Sequence, residues 1–507
     1  MKNFILITAL LFVIVSCKEK QENKFVIGIV IDQMKQEYFE KYRHRFSDDG
    51  LLRIYDNGTA YTNTHLNYTP TYTAVGHASI HTGKLPSQHG VVGNNWYDKA
   101  SKNVIYCVDD NNYHTIGSNN NGKKSPKNLK VETLGDSLSK YHNFKTTSLS
   151  LKDRSAILSA GIEKHETLWF DPLSGNFISS SYYINELPLW VQAFNSDHIV
   201  DALINTTWTT SHEIKSYLNE DSKPSEIGFQ EKNTFPYHLG QLKDSLKPYA
   251  LIFDTPQGNT LLTYLAIKKL ENTSLDNKNQ MLLISYSATD GMGHKFGPHS
   301  VEIEDCYIKL DKEIEGLLTT LDEKFGKENY TLFITSDHGV ADSPMDHNKD
   351  WFYNSELLFN ELKKSCYESF KDSLLIEKLI FNNIYLNDKR IDTLKLTNKE
   401  VAKSIEEYLI NKELISSVYN SFDQPIDSMT HIIKNGHCTD RSGTISFQYK
   451  SGYLSDHFSH GGTTHGSYYP YDTNIPFVLY GNNIPKKKDN TYKPVSFIRK
   501  QIEKLIF

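Results

Sequence analysis

Cysteine is scarce in this chain, with five among 507 residues, and once Cys17 is set aside Cys107, Cys306, Cys366 and Cys438 are far apart. No C-x-x-C pair occurs, which excludes a cysteine zinc knuckle. Up to two disulfides are open to an exported chain, in pairings that spacing does not decide. Basic charge is not in excess either: 55 Lys and Arg stand against 61 Asp and Glu, for a formal net charge of −6. That balance lacks the electrostatic footprint of a nucleic-acid binder, so no nucleic-acid polymer is expected as a partner. Internal repeats are absent, and so are low-complexity blocks beyond one short tether, which excludes repeat architectures. What remains, 38% hydrophobic and 23% charged residues, is the composition of an ordinary globular protein. The length suits two or three domains or one large α/β enzyme.

The first residues, MKNFILITALLFVIVSCKEK, do not read as part of a fold. Lys2 supplies a positive start and Phe4 to Val15 an apolar run of leader length, too short for a comfortable membrane span. The run ends Ile14-Val15-Ser16-Cys17, which resembles the lipobox of bacterial lipoproteins, followed by a tether over residues 18–24. Residues 1–17 are therefore expected to be a lipoprotein signal, with a lipid on Cys17 as the chain's one membrane contact. An ordinary cleaved signal or a simple N-terminal anchor is the alternative. Each implies export, to the periplasm or, as a lipoprotein, to the outer membrane of a Gram-negative bacterium.

Four apolar runs end in polar residues: KFVIGIVIDQM from Lys24, MLLISYSATDGMGH from Met281, YTLFITSDHG from Tyr330 and TNIPFVLYG from Thr473. Near-continuous apolar runs suit strands covered on both faces, as in a parallel sheet between helices. Helical patterns lie between them. VETLGDSLSKYH is one; another places Ile303, Ile308, Leu310, Ile314, Leu317 and Leu318 near a 3.6 spacing and closes on Gly326. The alternation predicts a doubly wound, mostly parallel α/β sheet flanked by helices. Segments at about 170–245 and 350–450 read as insertions forming a cap or subdomain within a catalytic domain over 25–507.

Ligands of open α/β sheets bind beyond the carboxyl ends of the strands, and three runs deliver an aspartate there: Asp32, Asp290 and Asp337. One such Asp is usually a helix cap or turn residue. Here Asp290-Gly-Met-Gly-His294 and Asp337-His338 add imidazoles, and mixed His and Asp donors suit zinc. A fourth block, HFSHGGTTHGSYYPYD, offers His457, His460 and His465, among which spacing does not choose. Surface loops collect histidines freely, a reading that fits most of the 20 His but fits poorly those on the D-x-x-x-H and D-H motifs. Earlier in the chain, PTYTAVGHASIHTG gathers Thr71, Thr73, Ser79 and Thr82 around a Gly-His step. That stretch is either a capped helix start or a nucleophile.

Taken in order, Asp32, the Thr73 stretch, D-x-x-x-H at 290–294, D-H-G at 337–339 and T-H-G-S at 464–467 resemble the alkaline phosphatase superfamily. The spacing is that of its phosphate-irrepressible alkaline phosphatases and nucleotide pyrophosphatase/phosphodiesterases, over nearly the whole mature chain. The resemblance implies two zinc ions, one held by Asp290, His294 and His465 and the other by Asp32, Asp337 and His338. His457 and His460 then become non-ligands. Thr73 falls where that family places its nucleophile, with Thr71 the rival, Thr71 and Ser79 otherwise capping or packing, and His77 structural. A threonine hydroxyl needs activation, which an adjacent zinc supplies, and a helix N-terminus there favours a phosphoryl oxygen.

By the same resemblance Asn94 donates its amide to a phosphate oxygen, although Asn94-Asn95 after Gly93 also suits a plain turn. Lys152-Asp153-Arg154 matches the monoesterases, whereas diesterases typically lack the pair. In an extended segment residues 152 and 154 share a face, so both cations project together onto a phosphate dianion. An exposed charged strand end is the plain alternative. The resemblance thus implies a monomeric phosphomonoesterase for small substrates, working through a phosphothreonine. A diesterase on the same scaffold is the near alternative, and a non-catalytic lipoprotein binding phosphate-bearing ligands the distant one. No C-x-P-x-R sulfatase signature is present.

Overall fold

The computed structural model describes residues 25–230, 232–243, 247–274 and 279–506. The expected leader, Cys17 and the tether lie outside the described residues. Eight strands carry the large sheet: β1 (Phe25–Ile31), β2 (Thr59–His65), β3 (Phe144–Ser150), β4 (Glu166–Asp171), β5 (Asn176–Ser180), β6 (Asn279–Tyr286), β7 (Tyr330–Thr335) and β8 (Asn474–Gly481). Their spatial order is β2-β8-β7-β1-β6-β3-β4-β5, and short edge strands bring the sheet to eleven.

The central five, β7, β1, β6, β3 and β4, are mutually parallel. Successive residues of β6 serve opposite faces. Leu282 and Ile284 join the core on one side, while Met281 and Leu283 join the core on the other. Burial on both faces is why such strands read as unbroken apolar runs. The last run departs from the parallel expectation: β8 pairs antiparallel with both β7 and β2. It lies inside the sheet, and an unbroken apolar run reports two-sided burial whatever the strand direction.

Five helices carry or flank the strand ends where the aspartates lie: α1 (Thr73–Thr82), α2 (Asp153–Ala160), α3 (Pro256–Glu271), α4 (Ala288–Phe296) and α5 (Val301–Phe325). The Ser300 hydroxyl caps α5 by accepting from the Ile303 N–H, and Gly326 ends it at a positive φ of 82°, which glycine adopts without strain. The apolar stripe from Ile303 to Leu318 is buried as its spacing requires. The VETLGDSLSKYH pattern becomes a helix at Leu134–His142, where Thr133 and Asp136 form a capping box.

Strands β4 and β5, at the start of the 170–245 segment, extend the large sheet, and the chain beyond them wraps over α5. There Trp208 Nε1 donates to Asp305 at 2.7 Å and the Tyr237 hydroxyl to Glu302 at 2.6 Å. The 350–450 segment holds a separate sheet, ordered Ile376–Ile380, Asn383–Leu386, Ile445–Tyr449, Ile415–Asn420. Its own core includes Leu362, Ile384, Val401, Ile405 and Phe447. Cys107, Cys306, Cys366 and Cys438 are all free and buried, so the disulfides open to the sequence are not formed.

Candidate active site

The carboxyl ends of β1, β6 and β7 converge on one buried cluster. Asp32 directly follows β1, and its N–H donates to the Tyr286 carbonyl at 2.9 Å. Asp290 lies in the first turn of α4 and His294 one turn on, so this D-x-x-x-H stands on a helix despite its two glycines. An i, i+4 pair shares a helix face. His294 Nε2 is 3.2 Å from Asp290 Oδ1. Asp337 and His338 follow β7, with His338 Nε2 3.4 Å from Asp32 Oδ1 and 3.6 Å from Asp337 Oδ2. His465 arrives on the loop before β8, its Nε2 3.5 Å from Asp290 Oδ1.

The donor chemistry fits divalent metal. Each imidazole donates from Nδ1 to a backbone carbonyl: His294 to Thr463 at 2.8 Å, His338 to Gly339 at 3.0 Å, His465 to Thr71 at 2.7 Å. That fixes each Nδ1 as a donor and turns every Nε2 toward the carboxylates. Asp32 Oδ1 and Asp337 Oδ2 are buried without a hydrogen-bond partner, a costly arrangement that a cation relieves. Two sets have donor atoms within 4.8 Å of one another: Asp32, Asp337, His338, and Asp290, His338, His465. His338 thus reaches both sets, and its ring stacks on His465 with centroids 3.5 Å apart. His294 borders the second set, its ring centroid 5.1 Å from that of His465. His457 and His460 are exposed and belong to neither.

Electrostatics agree with that reading. Burial, then the charge of Asp337, pushes Asp32 well above the carboxylate range, and burial pushes Asp337 up to about 7. Burial also works against the Asp290 charge, but Lys152 and His294 outweigh it and hold the group well below its ordinary value. Burial pulls His338 and His465 down to about 3, which keeps both neutral and able to ligate.

Thr73 is the first residue of α1 and is 1% exposed. Its Oγ1 lies 3.4 Å from His338 Nε2, so the hydroxyl borders the cluster directly. No side chain caps the helix from Tyr72. Instead Asn94 Oδ1 accepts the Ala74 N–H at 3.0 Å, which holds the Asn94 amide beside the start of α1. Gly76 lets α1 approach, since a Cβ there would fall 2.3 Å from the Asp337 carbonyl oxygen. Thr71 and Ser79 are engaged elsewhere: Thr71 donates to the Ser467 carbonyl at 2.9 Å, and Ser79 pairs with His89 Nε2 at 3.0 Å. His77 bridges Ser159 and Ser285 and is structural.

Lys152 reaches this cluster, and it does not form an extended pair with Arg154. Lys152 is the extended residue before α2 and Arg154 sits in its first turn. An acidic residue opening a helix is favourable, and Asp153 there starts α2 immediately after Lys152. Lys152 Nζ donates to Asp32 Oδ2 at 2.6 Å and to Asp290 Oδ2. Burial opposes its charge, yet Asp290 and Asp32 outweigh burial and raise its pKa. Arg154 donates to the Tyr106 hydroxyl at 3.2 Å, while its Nε is buried without a partner.

Two supporting residues carry no sequence motif. Gln33, at a left-handed φ of 66°, donates from Nε2 to Asp290 Oδ1 at 2.7 Å and from its backbone N–H to Asp337 Oδ1 at 3.3 Å. Gly293 makes room for that amide, because a Cβ there would lie 1.6 Å from Gln33 Oε1. Asp472 Oδ2 accepts the N–H groups of Gly466 and Ser467 at 3.0 and 2.8 Å and so holds the His465 loop. In each case the one signal in the sequence is an acid or amide beside a ligand segment.

With this geometry in place, the comparisons with known proteins agree on one group. Residues 26–467 match the type I phosphodiesterase / nucleotide pyrophosphatase family. A Myroides odoratus protein named calcium-transporting ATPase is 34% identical, over 93% of this chain and 89% of its own. Alkaline phosphatase PafA of Elizabethkingia meningoseptica is also 34% identical, over 92% of this chain and 88% of its own. The crystal structure of an alkaline phosphatase PafA superposes with a TM-score of 0.89 at 32% identity and covers 96% of each chain. A variant solved in the same fold is substituted at a threonine, an asparagine, a lysine and an arginine. Among the described residues no helix is long and apolar enough to cross a membrane. The chain belongs to the type I phosphodiesterase / nucleotide pyrophosphatase family, and within it to the PafA-like alkaline phosphatases.

Proposed function

We propose that this phosphatase hydrolyses small phosphate monoesters through a phosphothreonine on Thr73, beside two divalent metal ions, zinc by the His and Asp character of the donors. The observation that carries the reading is the position of Thr73: first residue of α1, 3.4 Å from an imidazole shared by two donor sets. Asp32, Asp337 and His338 would hold one ion, and Asp290, His294 and His465 the other. When bound, the ions supply Lewis acidity that lowers the pKa of the Thr73 hydroxyl and offsets charge on the phosphoryl oxygens.

Thr73 Oγ1 then forms its bond to phosphorus as the bond to the leaving oxygen breaks. The hydroxyl proton passes to solvent, and the departing alkoxide takes one from water. Water afterwards cleaves the Oγ1–phosphorus bond, which returns Thr73 and releases inorganic phosphate. The positive end of the α1 dipole and the Asn94 amide nitrogen meet the phosphoryl oxygens. Lys152 and Arg154 favour the monoester, whose phosphoryl group carries two charges where a diester carries one. The catalytic domain spans 25–507 with the 170–245 and 350–450 segments as insertions. It acts as a monomer outside the cytoplasm, tethered by a lipid on Cys17.

Metal removal tests the reading. Dialysis against a chelator is expected to lower p-nitrophenyl phosphate turnover at least ~100-fold, with zinc restoring it at about two ions per chain by elemental analysis. Full turnover by the chelated chain would contradict the metal assignment. Restoration by manganese and not by zinc would correct its identity.

A further inference from the structure

The inserted sheet sends one side chain back to the catalytic site at a conformational cost. Ile380 pairs with Asn383 at the end of a hairpin, so Phe381 and Asn382 are the two residues that turn it. Phe381 holds a left-handed φ of 49°. Glycine or asparagine is favoured in that region, and a bulky residue there is an outlier. Burial does not compensate, because Phe381 is 49% exposed. Strain kept at an exposed position points to a use for the ring.

Its placement indicates the use. The Phe381 ring lies 5.0 Å from that of Tyr72, inclined at 50°. Tyr72 immediately precedes Thr73, and its edge meets the His465 ring at 5.7 Å and 71°. Phe381 and Tyr72 also wall a cleft between the large sheet and the inserted sheet, which His465 and Gly466 border on the catalytic side. Tyr353, Tyr449 and Tyr469 continue the aromatic lining away from the cluster. A phosphoryl group on Thr73 lies beside His338, whose ring stacks on His465 at 3.5 Å, and His465 borders the cleft that these rings wall. A leaving group that passes His465 therefore meets these two rings.

We propose that Phe381 and Tyr72 form an aromatic platform for the leaving group, making Phe381 a specificity-determining residue that favours aryl and nucleoside monoesters over alkyl ones. The inference rests on the monoesterase reading above. A flat apolar face stacks a phenyl ring or nucleobase and offers a methyl or glyceryl group little contact.

The test measures kcat/KM of wild type, Phe381→Ala and Phe381→Leu on phenyl phosphate, adenosine 5′-monophosphate, methyl phosphate and glycerol 2-phosphate. Variant-to-wild-type ratios on each substrate cancel the differing reactivity of the leaving groups. Phe381→Ala is expected to lose about tenfold on the two aromatic substrates and less than about twofold on the two alkyl ones, with Phe381→Leu between. Thermal unfolding of each variant checks that the hairpin stays folded. Equal losses on all four substrates, or no loss on any, would overturn the platform. If the wild type hydrolyses diesters alone, the monoesterase reading fails, and the same ratios on diphenyl against dimethyl phosphate decide the platform separately.

Discussion

Thr73→Ala is expected to lower kcat/KM for phosphate monoesters by about 10⁴-fold or more, since it removes the proposed nucleophile. Thr73→Ser keeps an oxygen at the opening of α1 and is expected to retain measurable turnover. Thr71→Ala serves as the control for the neighbouring hydroxyl. Thr71 already donates to the Ser467 carbonyl at 2.9 Å, so its loss affects the His465 loop and leaves the nucleophile in place. Comparable collapse in Thr71→Ala with high activity in Thr73→Ala would move the nucleophile. Steady-state kinetics with p-nitrophenyl phosphate and metal content checked for each variant decides it.

The second large effect is on substrate class. Arg154→Ala is expected to cost about 10²–10³-fold in kcat/KM on monoesters, the size of removing one donor from a developing phosphoryl charge. On diesters the same change is expected to cost under about tenfold, because the second charge that Arg154 would meet is absent. Arg154 is a cleaner probe than Lys152. The lysine touches Asp32 and Asp290, so its removal also disturbs the metal ligands, whereas the arginine side chain touches Tyr106. An equal loss on both ester classes would show that Arg154 supports the fold around Tyr106 and does not discriminate charge.

Much of this site is legible in the primary structure because its ligands stand where strands end. β1, β6 and β7 are fixed by apolar runs, and an aspartate after each is visible without coordinates. The family resemblance then assigns partners that spacing alone leaves open, His465 among three histidines in one block. What resists reading depends on tertiary contact. The direction of β8 is invisible because two-sided burial gives the same apolar run either way. Lys152 and Arg154 read as an extended pair, but Asp153 opens a helix between them. Gln33, Asp472 and Phe381 have no local signature. Gln33 matters through a backbone turn opposite Asp290, Asp472 through the loop that bears His465, and Phe381 through a hairpin some 300 residues from Tyr72. His338 reaching both donor sets is likewise a property of ring stacking on His465, not of the D-H motif.

The most direct test of the account compares kcat/KM of the metal-loaded wild type on p-nitrophenyl phosphate and on bis-p-nitrophenyl phosphate under identical conditions. The proposed roles of Lys152 and Arg154 predict a preference for the monoester of at least about 10²-fold. A preference for the diester would contradict the account, since it would mean that neither Lys152 nor Arg154 meets the transferring phosphoryl group.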